Sequence, residues 1–172
     1  MPNKRDVVMW DSCIIIDAIQ KSPQYWSAIE PFVADAEAGK LLIVVSEISV
    51  AEVSSLGGLN EQGVSLEEQA KLIREWFENP YVSRRQQHAG ISELAAEYGR
   101  TYSLKAAPDR VVLATAVFEK IPVLHTRDGA GASPRSKMLL PLDRKVGNPP
   151  LRIEVPNYRQ GLLSSPSGGI IG

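Results

Sequence analysis

The chain has 172 residues, of which 44% are hydrophobic and 23% charged, and its formal net charge is −1. This length suits one domain with a substantial core, and the composition is that of an ordinary globular protein. A single cysteine, Cys13, excludes an internal disulfide framework and a cysteine-rich zinc site. The sequence has no apolar run near the roughly 18 residues that span a bilayer and no signal-peptide core, so we expect a cytoplasmic protein without membrane contact.

The charges are unevenly distributed along the chain. Residues 1–80 contain 6 Lys or Arg and 13 Asp or Glu, whereas residues 81–172 contain 13 and 7, which gives balances of −7 and +6. Solvated helix faces would explain this asymmetry. A basic surface that meets a polyanion, beside acids that hold a metal, would explain it equally well.

The predicted elements alternate between strands and helices. Continuous apolar runs between Gly, Pro and Asn predict strands, and apolar residues at helical spacing predict helices. The predicted order is a strand at 6–10, helices at 13–19 and 24–38, a strand at 41–45, a helix at 48–56, a loop at 57–65, a helix at 66–78, an edge strand at 81–85, helices at 88–102 and 109–119, a strand at 121–125 and a one-sided strand at 151–155. Ser22 and Ser65 are the expected N-caps of the second and fourth helices.

This alternation predicts a three-layer α/β/α fold with a central, mostly parallel, twisted sheet. We expect one domain over residues 1–156. Gly, Ser and Pro dominate the end of the chain, so residues 157–172 are predicted to form a flexible C-terminal tail.

Four acids occupy comparable positions in the predicted order. Asp11 ends the first strand, Glu52 lies one turn into the helix after the second, Asp109 opens a helix, and Asp128 follows the strand that ends at His125. The exits of parallel strands and the starts of the following helices share one edge of a sheet, so we expect the four acids to converge. Close carboxylates repel unless they protonate or a cation offsets their charge. Oxygen ligands suit Mg²⁺ or Mn²⁺, which pair with phosphates and activate water.

Each acid also has a structural explanation that the sequence leaves open. Asp11 would cap the next helix, Glu52 would complete a capping box with Ser49, Asp109 would complement a helix dipole, and Asp128 would form an Asx-turn before Gly129.

The sequence resembles the PIN domain family. The segments VVMWDSCIIIDAI, SEISVAEV, PDRVVLATAV and VLHTRDG, within residues 6–130, are similar to the four motifs of that family, in the same order. The resemblance implies a compact α/β/α nuclease that binds Mg²⁺ or Mn²⁺ through acids and hydrolyses RNA phosphodiester bonds. It places the family's acids on Asp11, Glu52, Asp109 and Asp128 and its small hydroxyl residue on Thr126, and Ser12 follows the first acid.

The resemblance also implies partners. Many bacterial members are VapC-type toxins paired with a small antitoxin, so RNA and an antitoxin are expected partners, and we also expect a homodimer. Separately from the resemblance, the basic excess after residue 80 supplies the residues expected to bind RNA, which are Arg84, Arg85, Lys105, Arg110 and Arg127. Arg110 and the segment Gly129-Ala130-Gly131 depart from the family's usual residues, which bears on the toxin subtype. Two alternatives stay open: a PIN-like scaffold that binds RNA or protein without cleaving it, and a DNA-directed nuclease.

Overall fold

A computed structural model describes residues 4–130 and 139–158. Five strands form its sheet: β1 (Asp6–Trp10), β2 (Leu41–Ser46), β3 (Val82–Arg85), β4 (Val123–His125) and β5 (Arg152–Glu154). Their spatial order is β3-β2-β1-β4-β5, and all four neighbouring pairs are parallel. The predicted parallel sheet is therefore confirmed, with β3 at one edge.

Seven helices surround this sheet in the described residues. They are α1 (Ser12–Gln20), α2 (Trp26–Glu37), α3 (Glu47–Glu52), α4 (Gly57–Asn60), α5 (Leu66–Phe77), α6 (Ala89–Thr101) and α7 (Ala107–Phe118). A short 3-10 turn covers Leu140–Leu142. None of the helices in the described ranges has the length and apolarity needed to cross a bilayer.

Each face of the sheet carries its own apolar core, which confirms the three layers. Alternate residues of a strand point to opposite faces, so Val8 and Trp10 of β1 pack with α1, α2 and α5, whereas Met9 packs with α6 and α7. The central strands are buried on both faces, as expected for a parallel sheet covered by helices. On the first face, Trp10 stacks on Trp76 with ring centroids 6.0 Å apart.

The predicted start of α2 is wrong. Ser22 does not cap this helix, because its hydroxyl instead donates to the carboxylate of Asp17 at 3.1 Å. Residues 21–25 form turns, and α2 begins at Trp26. The expected N-cap of α5 is confirmed, since Ser65 Oγ accepts from the backbone N–H of Glu68 at 3.2 Å.

The predicted helix at 48–56 is too long, and the predicted loop after it contains the short helix α4. The difference arises because the backbone N–H of Leu56 donates to the side chain of Gln69 at 3.0 Å rather than continuing α3. Leu59 and Asn60 then donate to the carbonyl of Leu56 and begin a new turn.

The parallel strands all leave the sheet at one edge. Trp10 is level with His125, which is level with Glu154, and Ser46 is level with Arg85. Asp11 follows directly, and its backbone N–H donates to the carbonyl of His125 at 3.1 Å. This edge, called the carboxyl edge below, is where the predicted site residues of β1, β2 and β4 emerge.

Residues beyond Tyr158 lie outside the described part of the chain, and so does most of the predicted tail. Tyr158 itself contacts the domain: its hydroxyl donates to Asp35 at 2.8 Å, and its ring lies edge-on to Phe32.

Candidate active site

Asp11 is held at the carboxyl edge by hydrogen bonds from Ser12, Thr126 and Cys13. It is the N-cap of α1, and its Oδ1 accepts from the backbone N–H of Ser12 at 2.8 Å. Its Oδ2 accepts from the hydroxyl of Thr126 at 2.8 Å. The residue is only 5% exposed. Burial raises the pKa of this carboxyl group, and the hydrogen bonds from Thr126 and Ser12 act in the opposite direction because they stabilise the ionised form.

Thr126 connects the exits of β1 and β4. Its hydroxyl donates to Asp11 and accepts from the backbone N–H of Asp128 at 3.0 Å. The threonine is fully buried, so both of its hydrogen bonds are shielded from water. The hydroxyl thus fixes the turn that carries the fourth acid relative to the first.

Asp128 is also held from its other side. Its Oδ2 accepts from the backbone N–H of Leu139 at 3.2 Å, and its carbonyl accepts from Leu140 at 3.1 Å. Because Leu139 is fully buried, the chain that returns at residue 139 anchors this carboxylate to the core.

Glu52 is the last residue of α3, at the same edge. Burial raises the pKa of its carboxyl group first, the negative charge of Asp11 raises it further, and the hydroxyl of Ser12 lowers it. The alternative capping box with Ser49 is wrong, because the N-cap of α3 is Ser46, whose Oγ accepts from Ile48 at 3.4 Å. Glu52 therefore has no capping role in α3.

Asp109 lies in the first turn of α7. Its pKa is raised to about 7, first by burial and then by the charges of Asp128, Asp11 and Glu52. The charges of the three other acids thus all act on the carboxyl group of Asp109.

The four acids suit a cation by donor type and charge. All their ligating atoms are carboxylate oxygens, and at neutral pH their mutual repulsion is relieved only by protonation or by a positive ion. In the described residues, however, no three His, Cys, Asp or Glu side chains stand in an arrangement that holds a metal ion as they are. The carboxylates would therefore have to approach one another to ligate an ion.

The cations expected to bind RNA are placed unequally. Arg84 makes two short contacts to Glu47, at 2.6 and 2.7 Å. Arg85 donates to Ser83 and lies 3.9 Å from Glu119, the residue that follows α7. Ten residues of α-helix span about 15 Å, so Arg85 approaches the end of α7 opposite to Asp109.

Lys105 and Arg110 lie near the start of α7. The guanidinium of Arg110 donates to the carbonyls of Leu104 and Lys105, the latter at 2.9 Å. The side chain of Lys105 is exposed and has no ion pair in the described residues. Arg127 is engaged with Asp17, a residue that the sequence analysis did not single out.

Two residues of α1 join the site without having been predicted. The sequence assigned no functional role to Cys13. Its Sγ lies 3.8 Å from Asp11 Oδ2 and accepts from the backbone N–H of Arg127 at 3.4 Å. Asp17 is 2% exposed within an otherwise apolar helix. An acid in such a run is a usable signal, because a buried carboxylate requires a partner.

Comparisons with known proteins bear on the family and the fold. The PIN domain family model matches residues 8–131. Among solved structures, the chain is similar to VapBC2 from Rickettsia felis bound to a promoter DNA fragment, with 18% identity and a TM-score of 0.51 over 70% of this chain and 87% of that chain. It is also similar to a toxin–antitoxin complex from Klebsiella pneumoniae, with 20% identity and a TM-score of 0.52 over 75% and 93%.

A third similar structure is the VapC20 toxin of Mycobacterium tuberculosis, described as cleaving the sarcin–ricin loop. It shares 13% identity and a TM-score of 0.50 over 71% of this chain and 90% of that chain. No curated protein matches the sequence. At these identities the structural likeness concerns the fold.

Proposed function

The chain belongs to the PIN domain family of nucleases, and from this premise we propose that it is a ribonuclease that hydrolyses RNA phosphodiester bonds with Mg²⁺ or Mn²⁺. Asp11, Glu52, Asp109 and Asp128 are the proposed metal-binding and catalytic residues. Ser12 and Thr126 support Asp11 from the surrounding structure.

The observation that supports this proposal is electrostatic: the charges of Asp128, Asp11 and Glu52, which lie on separate elements, all act on the carboxyl group of Asp109. Burial and the three other charges raise the pKa of Asp109 to about 7. A fold that only needed helix caps would gain nothing from placing all four acids within reach of one another. A divalent cation offsets their repulsion, and such ions are the usual partners of phosphates in nuclease sites.

Neighbouring residues orient two of the proposed metal-binding carboxylates. Ser12 and Thr126 orient the Asp11 carboxylate, and Leu139 orients that of Asp128. Asp109 holds a proton near neutral pH and would release it as the site fills, so metal affinity should increase as the pH rises through about 7. The bound ion would supply Lewis-acid stabilisation at phosphorus and a water of lowered pKa.

We propose RNA as the substrate and Arg84, Arg85, Lys105 and Arg110 as candidate RNA contacts. Lys105 is the best placed of them, because it is exposed and four residues before Asp109. The toxin–antitoxin complexes among the similar structures support a small antitoxin as a partner of this chain. A homodimer remains part of the proposal.

The deciding experiment measures cleavage of a mixed RNA pool by the purified chain, with and without EDTA. We expect Asp11→Asn and Asp109→Asn to abolish cleavage while the protein stays folded. Glu93→Gln removes an exposed acid on α6 and is the matched control, which should retain activity. Full activity in EDTA, or in Asp109→Asn, would contradict the proposal.

The ends of the products test the mechanism. A metal-activated water should leave a 5′-phosphate and a 3′-hydroxyl, and a single 2′-deoxy nucleotide at the cleaved position should still be cut. The described chain offers no pair of histidines to act as acid and base, because His125 is buried and hydrogen-bonded to Trp10, whereas His88 lies at the start of α6. Products with 2′,3′-cyclic phosphates would exclude this mechanism.

A non-cleaving scaffold that binds RNA or protein is the second candidate. It is favoured by one observation, namely that the described residues hold no ready-made metal-ligand group. RNA binding without cleavage at any Mg²⁺ or Mn²⁺ concentration would support it. Equal cleavage of DNA in a competition assay would instead indicate a DNA-directed nuclease.

A further inference from the structure

Arg127 stands between the two residues of β4's exit that belong to the site, Thr126 and Asp128, yet its side chain turns away from both. Its guanidinium reaches α1, where Nε and Nη2 each lie 2.8 Å from Oδ2 of Asp17. The same group lies 4.0 Å from the ring centroid of Tyr25, within the range of a cation–π contact. Only 27% of the side chain is exposed.

Asp17 is prepared for this contact. Its side chain is 3% exposed, and it also accepts from the hydroxyl of Ser22, whose Oγ in turn accepts from Gln20. Removing one partner from a buried ion pair leaves the other charge desolvated and uncompensated. The pair is therefore a fixed connection between α1 and the turn at residues 126–128, in contrast to the exposed pair formed by Lys71 and Glu75 on α5.

Two hydrogen bonds, in addition to the ion pair, join the turn at 126–128 to the start of α1. The hydroxyl of Thr126 donates to Asp11, and the backbone N–H of Arg127 donates to Cys13 Sγ at 3.4 Å. The turn is thus attached to the first residue before α1, to its first turn and to its middle. Because Asp128 follows directly, its position relative to Asp11 depends on these three attachments.

We propose that Asp17 and Arg127 are positioning residues, which hold the turn so that Asp128 and Asp11 face one cation together. This inference rests on the proposed function, and it gives Arg127 a role within the protein in place of a direct RNA contact. Neither residue needs to touch the ion or the substrate. Groups that orient metal ligands in this way typically change metal affinity 10–100-fold when they are replaced.

The test is Mn²⁺ binding to the full chain, measured by electron paramagnetic resonance of free Mn²⁺ without any substrate. We expect Asp17→Asn and Arg127→Gln each to weaken binding by about 10-fold. The double variant should be no weaker than the weaker single variant, because both changes break the same connection. Lys71→Gln removes an exposed ion pair on α5 that makes no contact with the turn at 126–128, and it should bind Mn²⁺ like the wild type.

Cleavage assays provide a second readout. If the pair positions metal ligands, the variants should need about 10-fold more Mn²⁺ for half-maximal activity and recover most of kcat at saturating metal, with an unchanged KM for RNA. Arg127→Lys retains the charge but loses the planar two-donor contact, so it should show an intermediate metal requirement. This milder variant decides the question if the others fail to fold.

Three outcomes would overturn the inference. Lower melting temperatures with unchanged Mn²⁺ affinity would reduce the pair to a purely structural role. A raised KM for RNA in Arg127→Gln but not in Asp17→Asn would make Arg127 an RNA contact. Wild-type protein that binds no Mn²⁺ would overturn the proposed function as well, which distinguishes that failure from the first two.

Discussion

Asp109 combines partial burial with the charges of three other acids, and this combination has a consequence for stability. Its pKa is about 7 in the folded chain, against an ordinary value of 3.8. Between about pH 4 and 7 the folded protein therefore holds a proton that the unfolded chain has released. By linkage, this group makes the protein less stable as the pH rises through that window.

We expect Asp109→Asn to remove the decrease in stability that occurs as the pH rises. In EDTA, the melting temperature of the variant minus that of the wild type should increase from pH 5 to pH 8, because only the wild type is forced to ionise a carboxyl group among three others. Thermal unfolding followed by circular dichroism measures the difference. Glu93→Gln, which removes an exposed acid on α6, is the control, and a melting-temperature difference for Asp109→Asn that does not change with pH would contradict the electrostatic account.

The side chain of Gln69, on α5, holds the segment between α3 and α5 in place through hydrogen bonds. Its Oε1 accepts from the backbone N–H of Leu56 at 3.0 Å, and its Nε2 donates to the carbonyl of Val64 at 3.0 Å and to Asn60 Oδ1. The residue is 1% exposed. One amide thus satisfies backbone groups at both ends of the segment that follows Glu52.

Replacing Gln69 by Leu should cost at least about 2 kcal/mol of unfolding free energy, because buried backbone groups lose their partners while the side-chain volume is kept. Chemical denaturation at neutral pH measures this cost. Gln62→Leu, at an exposed position in the same segment, is the control and should change stability little. A loss below about 0.5 kcal/mol for Gln69→Leu would mean that other groups or water replace the amide.

The sequence predicted most elements because their signals are local. β1 follows from a run of β-formers, and the start of α5 follows from Ser65 and its bond to Glu68. The misplaced boundaries depend on partners distant in sequence: Ser22 turns to Asp17, and Leu56 turns to Gln69. Local patterns contain no information about such partners, so propensity yields to tertiary contacts there.

The same distinction applies to the candidate site. The four acids could be grouped from sequence because a parallel sheet brings strand exits to one edge. The link from Arg127 to Asp17 could not, since it joins residues 110 positions apart in sequence. A positive charge next to the fourth acid suggested an RNA contact, whereas the structure shows that this charge is already paired inside the protein.

A buried histidine, His125, contributes to the pH dependence of stability with a sign opposite to that of Asp109. His125 is 1% exposed and accepts from the indole N–H of Trp10 at 3.1 Å. Burial, assisted by the nearby Arg152, lowers its pKa to about 3 from an ordinary 6.5. Between about pH 3 and 6.5, His125 binds a proton in the unfolded chain but not in the folded protein. This group therefore makes the folded protein less stable as the pH falls.

We expect the two groups to oppose each other between about pH 4 and 6.5, which flattens the stability profile of the wild type. His125→Gln should remove a slope of up to about 1.4 kcal/mol per pH unit, so that the unfolding free energy of the variant falls less on acidification. Urea unfolding at pH 7 and 4.5 measures this. His88→Gln, at an exposed position, is the matched control, and an unchanged slope in His125→Gln would refute the prediction.

The environment of Cys13 makes the reactivity of its thiol a measure of local opening. Burial and the charge of Asp11 raise the pKa of this thiol to about 12, so almost none of it is the reactive thiolate at pH 8. A disulfide reagent should therefore modify Cys13 slowly at pH 8, and faster when the turn at 126–128 detaches from α1. Cys13 is the one cysteine among the 172 residues, so all labelling reports on this position. The labelling rate would count how often the site opens, and Thr126→Ala should quicken it.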